Sequence, residues 1–288
     1  MRSNVKGPLL IACTAILWSF GGLLIKLVPW DAMTIVGIRS VFAALVMIIY
    51  MRRLHITFSL PVIMGALSMS GTTVLFVFAN KLTTAANAIV LQYTAPIFVV
   101  VISIIFFGKR PKPLDLAAVF AVFIGMALFF LDQLHADAML GNILACLSGI
   151  TFAGVFLMNK SPNAKPEEAV LLGHLINAAI GIPFAAESVT FEPAAWGAIA
   201  LLGIFQFGLA YVLFSIGIKL TQPISASLIA TLEPLLNPIW VLLLTGEAPG
   251  VWALIGGVIV IVTVAIYNIQ DSKRSRVDLI KRELREHC

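Results

Sequence analysis

The chain reads Lys81-Leu82-Thr83-Thr84-Ala85-Ala86-Asn87-Ala88 and, 138 positions later, Lys219-Leu220-Thr221-Gln222-Pro223-Ile224-Ser225-Ala226. The same offset matches further residues, namely Gly65 with Gly203, Leu75 and Phe76 with Leu213 and Phe214, Pro96 with Pro234, and Gly108 with Gly246. Near the starts of the two copies an offset of 133 pairs Ala12-Cys13 with Ala145-Cys146, and a loop absorbs the difference. This order predicts two copies of one unit, residues 1–135 and 136–270, followed by a basic tail at 271–288.

Most of the chain is apolar. Of its 288 residues, 60% are hydrophobic and 11% are charged, and the mean hydropathy is +1.02. A soluble domain carries roughly 25% charged residues. The apolar blocks are about twenty residues long, which suits a helix crossing a hydrocarbon core of ~30 Å. The composition predicts an all-α integral membrane protein with ten spans, at about residues 8–28, 32–51, 60–80, 87–107, 113–131, 139–159, 168–186, 194–217, 224–244 and 250–270.

Basic residues orient these spans. With the N-terminus inside and the spans alternating, only Lys26 and Lys81 fall in outside loops. The sixteen inside residues are Arg2, Lys6, Arg52, Arg53, Lys109, Arg110, Lys112, Lys160, Lys165, Lys219, Lys273, Arg274, Arg276, Lys281, Arg282 and Arg285. This positive-inside bias predicts a multi-pass protein of the cell membrane with both termini cytoplasmic. Because the net charge of +5 lies in loops rather than on one folded face, no nucleic-acid partner is expected.

The two units are expected to be inverted. Each unit holds five helices, and an odd number makes the second copy enter the membrane from the opposite side. Inverted repeats place a binding site near the membrane midplane between the halves and support alternating access. The pattern therefore favours a secondary transporter. The tail is read either as a short helix on the cytoplasmic lipid surface or as a solvated, disordered segment.

Two motifs carry a family resemblance. The run at 81–88 leads into Leu91-Gln92-Tyr93-Thr94-Ala95-Pro96, and its partner is Leu232-Glu233-Pro234-Leu235-Leu236-Asn237-Pro238-Ile239-Trp240 with Gly246-Glu247 after it. Together they resemble the EamA-type branch of the drug/metabolite transporter superfamily, over essentially the whole chain. The resemblance implies a ten-helix carrier, commonly an exporter of amino acids or related metabolites. The family usually has Glu after the fourth helix of each repeat, whereas this chain has Lys109 there and keeps Glu247.

Glu233 is the leading polar residue inside a predicted span. A charge at the bilayer centre costs ~2.5–3.5 kcal/mol on insertion scales, so Glu233 is a candidate for substrate binding and proton coupling. Asn237 shares its helix face. The offset predicts that Gln92 faces Glu233 across the interface between the halves, with Tyr93 adjacent. The alternative is a protonated Glu233 that only packs helices.

Arg39 and His174 correspond at an offset of 135. Arg39 keeps its proton, so it needs a carboxylate, a helix C-terminus, water or an anionic substrate. The alternative for Arg39 is an interhelical contact that does not involve substrate. His174 shares a helix face with Asn177, and the alternative for this face is an interhelical hydrogen bond. The aromatic residues Trp18, Tyr93, Tyr211 and Trp240 would wall a cavity, or else simply pack.

The repeat pattern predicts a secondary transporter, and the resemblance implies that it exports amino acids or related compounds. An amino acid-like substrate and membrane lipids are the expected partners. Coupling to protons through Glu233 is part of this hypothesis. A membrane-embedded lipid-modifying enzyme and a passive facilitator or channel are the alternatives. The ionisable groups are scattered singly, no nucleotide-binding glycine loop is present, and the cysteines lack metal-ligand spacing, so neither enzymatic activity nor a cofactor or metal is expected. Monomer and homodimer both stay open.

Overall fold

A computed structural model of the chain describes residues 3–83, 85–131, 138–236, 240 and 250–286. All regular structure in these ranges is helical, without a strand. The α-helices are, in chain order, α1 Ser3–Ser19, α2 Gly21–Lys26, α3 Ala32–Met51, α4 Leu60–Leu82, α5 Ala85–Gln92, α6 Ala95–Phe107, α7 Pro113–Phe129, α8 Met139–Leu157, α9 Pro166–Gly181, α10 Ala185–Ser188, α11 Pro193–Leu201, α12 Ala210–Leu220, α13 Pro223–Ala230 and α14 Val251–Glu286. A further helical stretch covers 232–236.

The chain is a multi-pass membrane protein. Seven described helical segments are long and apolar enough to cross a membrane, namely Ala32–Met51, Leu60–Ala79, Ala88–Phe107, Met139–Leu157, Pro166–Ser188, Pro193–Leu220 and Val251–Asp271. Three shorter apolar helices of 10–17 residues are Val5–Ser19, Pro113–Phe129 and Pro223–Leu236. All ten coincide with predicted spans. The membrane-spanning character is thus confirmed, while the count of ten spans stays a prediction.

The outer surface of the bundle is apolar. Ile49 on α3 and Phe106 on α6 are each 75% exposed, and Phe120 on α7 is also exposed. Such large apolar side chains would be unfavourable in water but are suited to contact with lipid. Prolines in the first turn start many of the helices, where a missing N–H costs nothing: Pro61, Pro96, Pro113, Pro166, Pro193 and Pro223.

Two pairs of helices that correspond in the predicted repeat pack against each other. Gly37 near the start of α3 lies against Gly181 at the end of α9. At the other end of this pair, the backbone N–H of Thr57, just after α3, donates to Glu168 in the first turn of α9 at 2.6 Å. The start of one helix therefore meets the end of the other, and α3 and α9 run antiparallel.

The pair α7 and α14 has the same arrangement. Gly125 and Gly256 lie in close contact, and the hydroxyl of Tyr267 donates to Asp115 Oδ1 at 3.0 Å. Early residues of α7 thus meet late residues of α14. In the membrane small residues allow helix backbones to approach closely, which maximises van der Waals contact.

Helices α1 and α4 pack on helices of the other predicted unit. Along α1, Thr14 Oγ1 donates to the carbonyl of Ala210 at 3.2 Å. Along α4, Thr72 Oγ1 donates to Thr151 Oγ1 of α8 at 3.0 Å, and Gly141 at the start of α8 lies against Leu82 at the end of α4. The helices of the two units are interleaved rather than segregated.

A polar cluster anchors the start of α3. Asp31 caps the helix by accepting from the backbone N–H of Met33 at 2.8 Å and of Thr34 at 3.1 Å. Its second oxygen accepts from the hydroxyl groups of Ser188, at 2.5 Å, and Thr34. Burial alone raises the pKa of Asp31, but these hydrogen bonds outweigh it and lower that pKa below its ordinary 3.8. The cluster ties α3 to the end of α10.

Several predicted spans are not uniform α-helices, among them the first, the fourth and the eighth. The first is divided at Phe20, beside the pair Gly21-Gly22, into α1 and α2. The fourth is divided at 93–94 into α5 and α6, because Pro96 cannot bond to the carbonyl of Gln92. The eighth contains a π-helix at Leu202–Leu209 between α11 and α12. Within it, a Cβ on Gly208 would lie 2.8 Å from Val46 Cβ, so glycine permits the close approach of α3.

The basic tail is not a separate helix. Helix α14 continues from Val251 through 36 residues to Glu286. After Gly257 its sequence contains neither glycine nor proline, so nothing local ends the helix at the point where the apolar residues stop. The segment 271–286 is therefore helical and collinear with the last span, in contrast to the surface helix or solvated tail considered from the sequence.

Candidate functional site

Glu233 is hydrogen-bonded to a residue of the first unit. The hydroxyl of Tyr93 donates to Glu233 Oε2 at 2.5 Å. Tyr93 is buried, whereas Glu233 is partly exposed. Hydroxyl–carboxyl bonds of this length are among the stronger hydrogen bonds in proteins. The pair therefore fixes the position of the carboxyl group relative to the break between α5 and α6.

The break itself explains why Tyr93 reaches Glu233. Tyr93 and Thr94 lie between the two short helices, and Thr94 Oγ1 donates to the carbonyl of Leu91 at 2.5 Å. Gly149 of α8 lies against this segment, since a Cβ there would come within 2.9 Å of the Gln92 carbonyl. Gln92, which the repeat predicted to face Glu233, is buried. Within the described ranges no hydrogen bond joins Gln92 to Glu233, and the contact is made by the next residue.

Aromatic rings connect this pair to the rest of the site. Tyr93 packs edge-on against Phe152 with centroids 5.9 Å apart, and Phe152 contacts Trp18 at 5.9 Å. Trp18 contacts Tyr211 at 5.2 Å, and Tyr211 contacts His174 edge-on at 5.3 Å. Each such pair contributes about 0.5–1.5 kcal/mol beyond area burial. We call these five residues the aromatic column.

Arg39 lies at the far end of the aromatic column. It is 6% exposed, and its guanidinium carbon lies 4.1 Å from the centroid of the Phe207 ring. Across the parts of the chain described, it forms no ion pair, and its buried Nε–H has no hydrogen-bond partner. A desolvated cation–π contact contributes about 2 kcal/mol, which does not replace the hydration that a buried guanidinium loses.

His174 is fully buried beside Arg39. Its ring contacts Phe207 at 5.2 Å, and neither ring nitrogen has a hydrogen-bond partner among the residues whose structure is described. Asn177, one turn later, accepts from Ser70 Oγ at 2.7 Å through Oδ1. The predicted interhelical hydrogen bond is therefore made by Asn177, and His174 retains its unpaired nitrogens.

Tyr211 lies within electrostatic range of both Glu233 and Arg39. The Nε1–H of Trp18 is also buried without a partner in the described part of the protein. An unsatisfied buried donor costs about 1–3 kcal/mol, so a bound molecule or water is needed near these groups. The arrangement suits a small molecule with an acceptor group at the Arg39 end and a donor group at Glu233.

Trp240 contacts the end of α1. Its ring stacks on Phe20 with centroids 4.3 Å apart, and its Nε1–H donates to Ser19 Oγ at 2.8 Å. Of the other residues predicted from the sequence, Asn237 and Glu247 lie outside the described residues.

The structure thus brings Tyr93 together with Glu233, and Arg39 with His174, as two groups joined through Trp18 and Tyr211. Sequence reasoning missed Phe152 and Phe207. Among 19 phenylalanines in apolar segments, nothing in the local sequence marks these two.

Comparisons with known proteins agree with this architecture. The sequence model of the EamA-like transporter family matches residues 5–131 and 139–269. An uncharacterized transporter of Archaeoglobus fulgidus is 28% identical, with 90% of this chain and 96% of that protein covered. A second uncharacterized transporter of Archaeoglobus fulgidus is 27% identical over 68% of this chain and 71% of that protein. A protein of known crystal structure superposes with a TM-score of 0.75 at 18% identity, covering 94% of this chain and 98% of that one, and so shares the fold.

Proposed function

Because this chain belongs to the EamA-like transporter family, we propose that it is a secondary transporter that moves small metabolites across the cell membrane by alternating access. Its substrate binds between two inverted five-helix units, residues 1–135 and 136–270, which form ten spans with both termini cytoplasmic. The Tyr93–Glu233 hydrogen bond carries this proposal, because it joins polar residues of the two proposed units, each inside a predicted span.

The helix directions support inversion of the repeat. Helices α3 and α9 correspond in sequence and run antiparallel, as the contacts of Gly37 with Gly181 and of Thr57 with Glu168 require. Helices α7 and α14 also correspond and run antiparallel. Two copies inserted in the same orientation would have these pairs parallel. Inverted units that exchange their packing supply the two states that alternating access needs.

The charges at the site support an amino acid-like substrate. A zwitterion carries a carboxylate for the unpaired guanidinium of Arg39 and an ammonium for the carboxyl of Glu233. Tyr211, close to both, and Trp18 offer ring surface and a free donor between these ends. We propose export as the physiological direction, in line with the resemblance of both repeat motifs to exporters.

Glu233 is proposed to couple transport to proton movement. Its carboxyl is a titratable acid that bonds to the other unit beside the aromatic column, so it can take up and release a proton where the substrate is proposed to bind. An arriving substrate ammonium favours release of that proton. Loading a proton on one side and releasing it on the other would couple the two fluxes.

The test is transport by Glu233→Gln in proteoliposomes with and without an imposed pH gradient, using a mixture of radiolabelled amino acids as substrate. Glutamine keeps the shape and accepts the Tyr93 hydrogen bond but cannot titrate. We expect concentrative transport to be lost while exchange of internal for external substrate persists. Glu192→Gln, which changes an exposed acid at the start of α11, is the matched control and should transport as wild type does.

Three other outcomes are informative. Concentrative transport by Glu233→Gln at the wild-type level would disprove proton coupling and leave Glu233 a packing residue. Wild-type transport that only equilibrates substrate would identify a facilitator. If no amino acid is transported or stabilises the protein thermally, the proposed substrate class is wrong.

A further inference from the structure

A cavity of about 260 Å³ opens at the end of the bundle where Val100 and Ser103 of α6 face Tyr267 of α14. An adjoining cavity of about 210 Å³ shares Lys160, Gln222 and further wall residues with it. The larger one, here named the basic vestibule, is lined by five cationic side chains: Lys109, Arg110, Lys112, Lys160 and Arg274. It shares no lining residue with the Tyr93–Glu233 pair.

The fold fixes two of these lysines at the cavity wall. Gly108 ends α6 in the left-handed region at φ 59, which glycine adopts without strain. The N–H groups of Gly108 and Lys109 both bond to the carbonyl of Ser103, the latter at 3.0 Å. Across the cavity, Lys160 follows α8, and its Nζ donates to Gln222 Oε1 at 2.9 Å. The backbone of Lys109 and the side chain of Lys160 are thus positioned by separate parts of the fold.

Lys109 and Lys160 line the same cavity and interact electrostatically, although both are basic. Among the described residues no carboxylate forms an ion pair with either one. Burial and the neighbouring Lys109 lower the pKa of Lys160 to about 8. Two like charges held together cost free energy unless an anion lies between them.

The acidic residues of the cavity do not supply that anion. Asp115 accepts from the backbone N–H of Lys112 at 2.8 Å through one oxygen and from the hydroxyl of Tyr267 at 3.0 Å through the other. Asp271 interacts electrostatically with Lys112 and Arg274. Both carboxylates therefore interact with groups on the α7–α14 side of the cavity. The Lys109–Lys160 side retains its excess positive charge.

We propose that the basic vestibule binds a phosphate group between Lys109 and Lys160. Ammonium and guanidinium groups form short, charge-assisted hydrogen bonds to phosphate oxygens. The cavity is smaller than the roughly 300–1,000 Å³ that drug-sized ligands occupy, so it suits a headgroup or a small phosphate ester. The repeat counterpart of Lys109 is Glu247, so the repeat itself does not dictate a cation here.

The phosphate has two possible sources, an anionic phospholipid headgroup and a free phosphate, and the experiment separates them. The full-length protein in a phosphate-free maltoside detergent is titrated with dioleoyl phosphatidylglycerol in one arm and with inorganic phosphate in the other. Dioleoylglycerol, which has the same chains without phosphate, is the lipid control. Kd is read from thermal unfolding of the wild type and of Lys109→Gln/Lys160→Gln.

We expect the wild type to bind one of the two probes and the double variant to bind it about tenfold or more weakly, since the variant loses two charge-assisted hydrogen bonds to phosphate. Arg53→Gln, which removes an exposed cation outside the vestibule, should leave Kd unchanged, and Lys109→Arg/Lys160→Arg should retain binding. Effects confined to the lipid arm identify a headgroup site, and effects in the phosphate arm identify a site for a soluble phosphate. Binding of neither probe, or equal binding by wild type and Lys109→Gln/Lys160→Gln, overturns the proposal.

Discussion

Gly37 of α3 and Gly181 of α9 pack backbone against backbone. A Cβ built on Gly181 would lie 2.5 Å from both Cα and N of Gly37, and one built on Gly37 would lie 2.5 Å from the carbonyl carbon of Gly181. Backbone atoms on both sides leave no flexible side chain that could move away. The close approach of α3 and α9 at this point therefore depends on the absence of side chains at both positions.

Gly181→Ala should lower the free energy of unfolding by about 1–3 kcal/mol, the usual cost of overpacking a tight contact. Thermal unfolding of the purified protein measures it. Gly197→Ala is the matched control, because a Cβ there meets nothing within 4 Å. Equal changes for the two variants would show that the glycine contact does not limit the packing of α3 on α9.

Arg39→Met should separate stability from transport. Removing a buried cation that has no described ion-pair partner relieves a desolvation cost, so we expect unfolding at an equal or higher temperature. Transport should fall at least about tenfold, because one charged hydrogen bond to the substrate is worth that much. Arg53→Met, at an exposed site, should change neither property. A large loss of stability in Arg39→Met, restored by Arg39→Lys, would instead indicate an interhelical contact.

Asp31→Ala should destabilise the protein by about 1–2 kcal/mol at pH 7, because it removes a helix cap and the bonds from Ser188 and Thr34. The lowered pKa of Asp31 sets the pH dependence. The contribution of the Asp31 carboxylate to the free energy of unfolding is complete above its ordinary pKa of 3.8. It is lost as the pH falls through the lower pKa of the folded state. The difference in unfolding temperature between wild type and variant should therefore shrink toward pH 3.

Glu192→Ala supplies the matched control for Asp31. Glu192 also precedes a helix, but its side chain makes no capping hydrogen bond. The substitution Glu192→Ala should change the free energy of unfolding little at any pH. A difference between wild type and Asp31→Ala that stays constant from pH 7 to pH 3 would contradict the role of the Asp31 carboxylate.

The lowered pKa of Lys160 predicts how phosphate binding depends on pH. Burial and the neighbouring Lys109 lower the pKa of Lys160 to about 8, so it is charged at pH 7 and loses its charge toward pH 9. Where phosphatidylglycerol is the probe that binds, its affinity should therefore fall over this range. Lys160→Arg keeps its charge to higher pH and should flatten the curve. The other charged or titratable groups that face the two cavities with Lys160 are Lys109, Arg110, Lys112, Asp115, Lys219, Tyr267, Asp271 and Arg274. A fall of equal size in Lys160→Arg would assign the pH dependence to one of these groups.

The sequence was sufficient for the class of fold and for several members of the candidate site. Apolar blocks and repeated glycines, prolines and Lys-Leu-Thr runs are local features, so the helices could be located from them. Glu233, Arg39 and His174 were identifiable because polar groups are rare in apolar spans. The hydrogen bond to Glu233 comes from Tyr93, one residue beyond Gln92, at the break in the helix that precedes Pro96.

Other features had no signal in the sequence. The π-helix at Leu202–Leu209 has no residue that marks it in the sequence, although it contains Phe207, which contacts Arg39. Lys109 and Lys160 are 51 positions apart, and each alone is typical of a cytoplasmic loop. Their proximity depends on how α6 and α8 end relative to each other, which only the packed bundle defines.

The length of α14 determines how far its C-terminal end lies from the lipid. Its 36 residues span about 54 Å, of which the hydrocarbon core takes ~30 Å. About 24 Å of straight helix therefore extends beyond the core, roughly three Debye lengths at physiological ionic strength. Attraction between lipid headgroups and basic residues is screened over that distance. The last turns of α14 therefore lie beyond most of the range of the headgroup charge, whereas the turn that follows Asp271 lies within it.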